Sequence, residues 1–216
     1  MLEQFFLGGS MMYPLLGLSI LGVAVLFDRM WAFYRYSRHD ARALRSEILL
    51  RLEEGREEDA MTVCASTPGP VAAVLLVGLT AYAKLKKAGE PVETIRELVN
   101  KAMEDYYSHA MSAVEKRFNL LSMVGMSAPL FGMTGTVTGM IKSFDAMSQA
   151  ASLDNSLVAG GISVALITTA WGLVIALMAV IPWQFFVQRA EQIGLQIEDA
   201  TAEMTDLLGR MARHAR

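Results

Sequence analysis

The stretch "APLFGMTGTVTGMIKSF", Ala128 to Phe144, decides the fold. It overlaps a run, Phe118 to Ile141, that contains no ionisable side chain. Such a run matches the ~20 residues a helix needs to cross a bilayer. Yet the quoted stretch holds three threonines, three glycines and a proline. Wound as a helix, Gly132, Gly135, Thr136, Gly139 and Ser143 fall on one face at steps of three or four. Lipid gives helices no hydrophobic reason to associate, so small residues that let backbones approach are how spans meet.

Two further uncharged runs flank this one. The first covers Met11 to Phe27 and continues through the interfacial "MWAFYRY" (Met30 to Tyr36). The other, Asn155 to Gln188, is longer than a bilayer requires and reads as a helix that crosses and projects beyond it. Within it Gly161, Ala165, Thr168, Gly172, Ala176 and Ala179 repeat the small-residue face, with Thr169 beside them. A fourth apolar patch, Val71 to Ala83, lies between Pro70 and a run of lysines. It is too short to span and reads as a helix buried in a soluble subdomain or lying against the membrane.

The fold class that follows is an all-α membrane protein with three transmembrane helices and long cytoplasmic helical extensions. Of the 216 residues 53% are hydrophobic and 19% charged, with a mean hydropathy of +0.35. Fourteen of the nineteen Lys and Arg residues lie between Arg29 and Arg117, and four lie from Arg189 onward. The N-terminal "MLEQFFLGGS" and the segment "DAMSQAASLDNS" have none. Positive charge collects on the cytoplasmic side, which puts the N-terminus in the periplasm and the C-terminus in the cytoplasm. Without a basic n-region or a small-residue cleavage site, the first span does not read as a removable signal peptide.

Four segments result: 1–34 as external N-terminus and first span, 35–117 as a cytoplasmic helical domain, 118–188 as the second and third spans, and 189–216 as a cytoplasmic C-terminal helix. In the cytoplasmic domain Ala41, Leu44, Ile48 and Leu52 share a helix face that closes at Gly55. From Pro91 onward Val92, Ile95, Val99, Ala102, Tyr106 and Ala110 recur at helical spacing. Nothing in the pattern breaks that helix before the second span. In the tail Ile193, Ile197, Ala200, Met204, Leu207 and Met211 form one stripe, so the third span and tail read as one helix with Pro182 as a kink point.

Chemistry is sparse. His39, His109 and His214 have no Cys or His at metal-ligand spacing, and "GMTGTVTG" lacks the strand and Lys-Ser/Thr pair of a phosphate loop. No enzyme is expected. Cys64, the single cysteine, reads as a small packing residue and allows no intramolecular disulfide. A net charge of −3 without a basic stripe argues against nucleic acid. No metal or cofactor is expected. The small-residue faces admit two readings: a packing seam, its threonines bonded to their own backbone, or the lining of an ion-accessible passage with Thr136 and Thr169 as its hydroxyls. Between Leu120 and Pro182 the only ionisable residues are Lys142, Asp145 and Asp154, all near the outer end. A charge crossing hydrocarbon needs an ionisable or coordinating group at depth, so either the chain conducts nothing or the titrating group comes from another chain.

The Ala128–Phe144 stretch resembles the second-span motif of the ExbB/TolQ/MotA family of ion-driven motor subunits, in which AP, G and GTV-G recur. "GISVALITTAWGLVIALMAVIPW" (Gly161 to Trp183) is similar to that family's third span. "GGSMMYPLLGLSILGVAVLFDRMWAF" (Gly8 to Phe33) resembles its first span, including the acid-Arg pair Asp28-Arg29, and "PGPVAAVLLVGL" (Pro68 to Leu79) is similar to a cytoplasmic stretch. Three spans fit the ExbB/TolQ branch. The resemblance implies an inner-membrane proton channel subunit forming a homopentameric ring around two copies of a single-span ExbD/TolR-like partner. The partner's aspartate would carry the ion, and a TonB- or TolA-like protein would be engaged further on. Thr136 and Thr169 then match the pore threonines, and Pro129, Gly135 and Gly172 the small or helix-shaping positions. Gly132, Gly139 and Ala165 complete the partner-facing seam. One position departs: the third-span glutamate of ExbB and TolQ, in a "GI-EAL" context, is Val164 here. The pair Thr168-Thr169 keeps sodium open as the alternative ion, since hydroxyl oxygens suit hard cations.

Overall fold

The computed structural model describes residues 8–37, 40–149 and 155–214, and no strand occurs among them. His39 and Asp154 lie outside the described residues. After a 3-10 turn over Gly9–Met11 come α1 (Met12–Ser37), α2 (Ala41–Glu53), α3 (Glu57–Ser66), α4 (Pro70–Lys87), α5 (Val92–Val114), α6 (Phe118–Gln149) and α7 (Asn155–His214). Among the described residues, three helical stretches are long and apolar enough to cross a membrane: Gly9–Tyr36, Phe118–Ser148 and Val158–Met211. The chain is therefore an all-helical, multi-pass membrane protein.

The helices divide into two compact units, Met1–Arg29 with Arg117–Phe186, and Met30–Lys116 with Val187–Arg216. In the first unit, α6 and α7 lie antiparallel. Gly125 meets Val180, Gly132 meets Gly172, Gly135 meets Thr168, and Gly139 meets Gly161 and Ala165. Phe118 stacks on Phe186 at the other end of the same seam, with centroids 6.3 Å apart. From Phe118 to Ser143 that seam runs roughly 37 Å at 1.5 Å per residue, enough to cross the hydrocarbon layer. The first span packs along one side through Met12 and Leu15, which are buried against Val124, Ala128, Ile175, Ala176 and Ala179.

The second unit is a helical bundle built around α4. Val71, Ala72, Val74, Leu75, Leu79 and Tyr82 are buried, so the short apolar patch is a core helix of this unit. Gly78 is what lets its neighbours close in, since a Cβ there would stand 2.5 Å from Met103 Sδ and 3.2 Å from Met204 Sδ. Around it α2 buries Leu44, Ile48 and Leu52, and its first turn is capped by Asp40, which accepts from Arg42 N at 2.9 Å. Such a cap contributes about 1 kcal/mol. Arg45 pairs with Glu203 at 2.9 Å, tying α2 to the α7 tail. Gly55 and Gly89, at φ +75° and +74°, supply the left-handed backbone that ends α2 and α4.

One expectation is corrected. The helix entered at Pro91 does not run straight into the second span: it ends at Val114, and α6 starts anew at Phe118. The break centres on Arg117, a non-glycine residue at φ +69°, a conformation that costs roughly 1–2 kcal/mol. Arg117 Nη1 pairs there with Asp28 Oδ1 at 2.8 Å, which offsets part of that cost. Periodicity missed the break because Ala110, Val114, Phe118 and Leu121 keep their spacing across it. On α5, Met103 is fully buried, its long thioether filling the space left by Gly78. The third span and tail do form a single helix, which continues through Pro182.

Candidate functional site

The two small-residue faces meet each other within one chain. A Cβ on Gly132 would lie 3.1 Å from Thr168 O and 3.2 Å from Thr169 Cα, and one on Gly172 would lie 2.7 Å from Ala128 O. The neighbours are backbone atoms, so no side-chain adjustment could make room. Ala165 is buried at the Gly139 crossing. Ser143 is also buried and donates to Gly139 O at 3.1 Å, satisfying its hydroxyl within α6.

The threonines divide into distinct environments. Thr168 is fully buried, and its hydroxyl sits within 2.9 Å of Ala165 O and 3.2 Å of Val164 O. Its side chain fills the hollow opposite Gly135. Thr169 is half-buried, and its hydroxyl donates across the seam to Gly132 O at 3.2 Å. A hydroxyl has one proton to give and two lone pairs to receive with, so both Thr169 lone pairs remain as acceptors. Thr136 is half-buried too and donates to Met133 O at 2.6 Å.

At 100° per residue, Thr136 lies about 40° around α6 from Gly132, and Thr169 about 60° around α7 from Gly172. In antiparallel helices those displacements share a side. The opposite rotation leads to Val124 and Ile175, which pack on the first span. The seam thus has one edge closed by α1 and a second edge carrying Thr136, Thr169 and the half-buried Pro129. Pro129 sits inside α6 without breaking it.

Val164 belongs to the closed edge. Its Cγ1 lies 3.7 Å from where a Cβ on Gly9 would be, beside the amino end of the first span. The structure therefore brings Gly132, Gly135, Gly139, Ala165, Thr168 and Gly172 into one seam. Thr136 and Thr169 stand on its open edge, with Val164 on the other side. Sequence reasoning passed over Arg117 and its bond to Asp28. The one signal for it was an arginine placed just before an uncharged run.

Three helices long and apolar enough to cross a membrane, two of them joined by backbone-to-backbone packing, define a class: polytopic helical membrane proteins. Within that class, the family described as MotA/TolQ/ExbB proton channel family matches residues 69–199, and the chain belongs to it. An ExbB-like biopolymer transport protein of Synechocystis sp. is 31% identical over 195 residues, covering 89% of this chain and 72% of that relative. The biopolymer transport protein ExbB of Pseudomonas putida is 28% identical, covering 80% of this chain and 52% of the relative. The Tol-Pal system protein TolQ of Haemophilus influenzae is 31% identical, with 64% and 61% covered. The chain thus spans less than two thirds of the last two relatives.

Proposed function

We propose that this protein is an inner-membrane channel and stator subunit that converts an ion gradient into mechanical work on the cell envelope, with a single-span partner of the ExbD/TolR type. The observation that carries the reading is the open edge of the α6–α7 seam. It offers Thr136 and Thr169 as hydroxyls, while the second and third runs contain no ionisable side chain from Phe118 to Ile141 or from Asn155 to Gln188. The missing carboxylate then belongs to the partner. Five copies form a ring around a partner dimer, with the N-terminus periplasmic and the C-terminus cytoplasmic. The relatives named for biopolymer transport and for the Tol-Pal system support envelope work of that kind, TonB-dependent transport or Tol-type maintenance.

Loading the partner's aspartate with a proton beside Thr136 and Thr169 removes a charge that is costly in hydrocarbon. The neutralised partner can then turn relative to the ring. Each elementary charge crossing 100 mV supplies about 2.3 kcal/mol. Proton rather than sodium is the ion this geometry favours. Thr168 spends its hydroxyl on its own helix in a fully buried position, leaving one third-span hydroxyl at the edge. Co-expression with a single-span partner followed by native mass spectrometry tests the assembly. Five copies of this chain with two of the partner are expected, and a chain that stays monomeric beside the partner contradicts the reading.

A further inference from the structure

Asp28 holds two arginines at once. Its Oδ2 accepts from Arg29 Nη2 at 2.6 Å and Nε at 2.9 Å, while Oδ1 pairs with Arg117 Nη1 at 2.8 Å. Arg29 is buried, at 8% exposure. Arg117 is the first residue of its unit's second stretch and the only described non-glycine residue with positive φ. Arginine has no preference for that backbone, so contacts elsewhere must hold it there. Immediately after it, Phe118 is buried and stacks on Phe186.

Elsewhere α1 meets α6 through apolar side chains, such as Gly22 against Val124. Packing of that kind sets closeness but leaves the axial position of one helix on another weakly defined. A single polar contact is what fixes register in such cases. Both Asp28 oxygens are engaged by guanidinium groups, and charge-assisted contacts of that kind are directional.

We propose that Asp28 is a positioning residue that, through Arg117, pins the first span in register against the start of the second. The pin is a property of one chain and holds whether or not the protein conducts.

Cross-linking of the full-length chain in membranes reads the register directly. In a Cys64→Ala background, Gly22→Cys with Val124→Cys places two thiols at a native contact, and oxidation should give a high yield of intrachain disulfide. Asp28→Asn or Arg117→Gln should lower that yield several-fold, and Arg117→Lys should retain most of it. Arg117→Gly suits the left-handed backbone but cannot reach Asp28, so it should cross-link as poorly as Arg117→Gln. Parental cross-linking in Asp28→Asn, Arg117→Gln or Arg117→Gly would overturn the proposal. Asp28→Asn with parental cross-linking but lost ion flux would instead assign Asp28 to the ion route.

Discussion

The hydroxyl of Thr169 donates to the carbonyl of Gly132, 3.2 Å away on the antiparallel helix. Its neighbour Thr168 lies one residue earlier and turns inward, bonding only to the backbone of its own helix. Adjacent residues of the same type therefore carry different loads. One ties two helices together at an open edge, and the other fills a hollow in the seam.

Replacing each with the near-isosteric valine separates those loads. Thr169→Val removes one interhelical hydrogen bond, worth about 0.5–1.5 kcal/mol. Under the proposed function, assembly with the partner should persist while ion-driven function is lost. Thr168→Val keeps the volume and should retain most function. The check is partner-dependent ion flux beside size-exclusion profiles, and equal flux in the two variants would remove Thr169 from the ion route.

Gly172→Ala should split the seam. The added methyl meets Ala128 O at 2.7 Å and Gly132 Cα at 3.1 Å, so the helices must move apart. Overpacking of this kind costs about 1–3 kcal/mol. Gly160 has open space around it, and Gly160→Ala should be neutral or stabilising by a few tenths of a kcal/mol. Thermal unfolding in detergent, compared between the two, measures the difference.

Val164→Glu should not restore a useful carboxylate. The side chain would enter the α1 side of the seam near Gly9, away from Thr136 and Thr169. A charge there costs up to about 3 kcal/mol. Thermal unfolding in detergent should show Val164→Glu less stable than the parent, and parental stability would contradict this placement.

Cys64 is buried in the second unit, and desolvation pushes its thiol up to about 12. Thiol reagents at pH 8 should label it slowly in the folded protein and quickly in denaturant. Between about pH 9 and 12 the unfolded chain releases this proton while the folded chain keeps it. The residue's contribution to stability is therefore intact below pH 9 and declines above it. Fast labelling of the native protein would show that the α3 environment opens.

Much of this was legible in the sequence because membrane burial writes itself as long uncharged runs. Gly132, Gly135, Gly139, Ala165 and Gly172 were placed on seam faces by spacing alone. Spacing could not show that the two faces pack on each other, since a helix wheel has no partner. Nor could it separate Thr136, at the edge, from Gly135, one residue earlier and buried. Arg117 was hidden for a related reason: its backbone conformation depends on Asp28, 89 positions earlier in the chain, and no local pattern encodes that.

Proton flux into vesicles under an imposed gradient tests the central claim most directly: the chain supplies hydroxyls and a second polypeptide supplies the acid. Vesicles holding this chain alone should be silent. Adding the single-span partner should open a flux that disappears when the partner's aspartate is replaced by asparagine. Flux from the chain alone, or flux that survives the loss of that aspartate, would contradict the account.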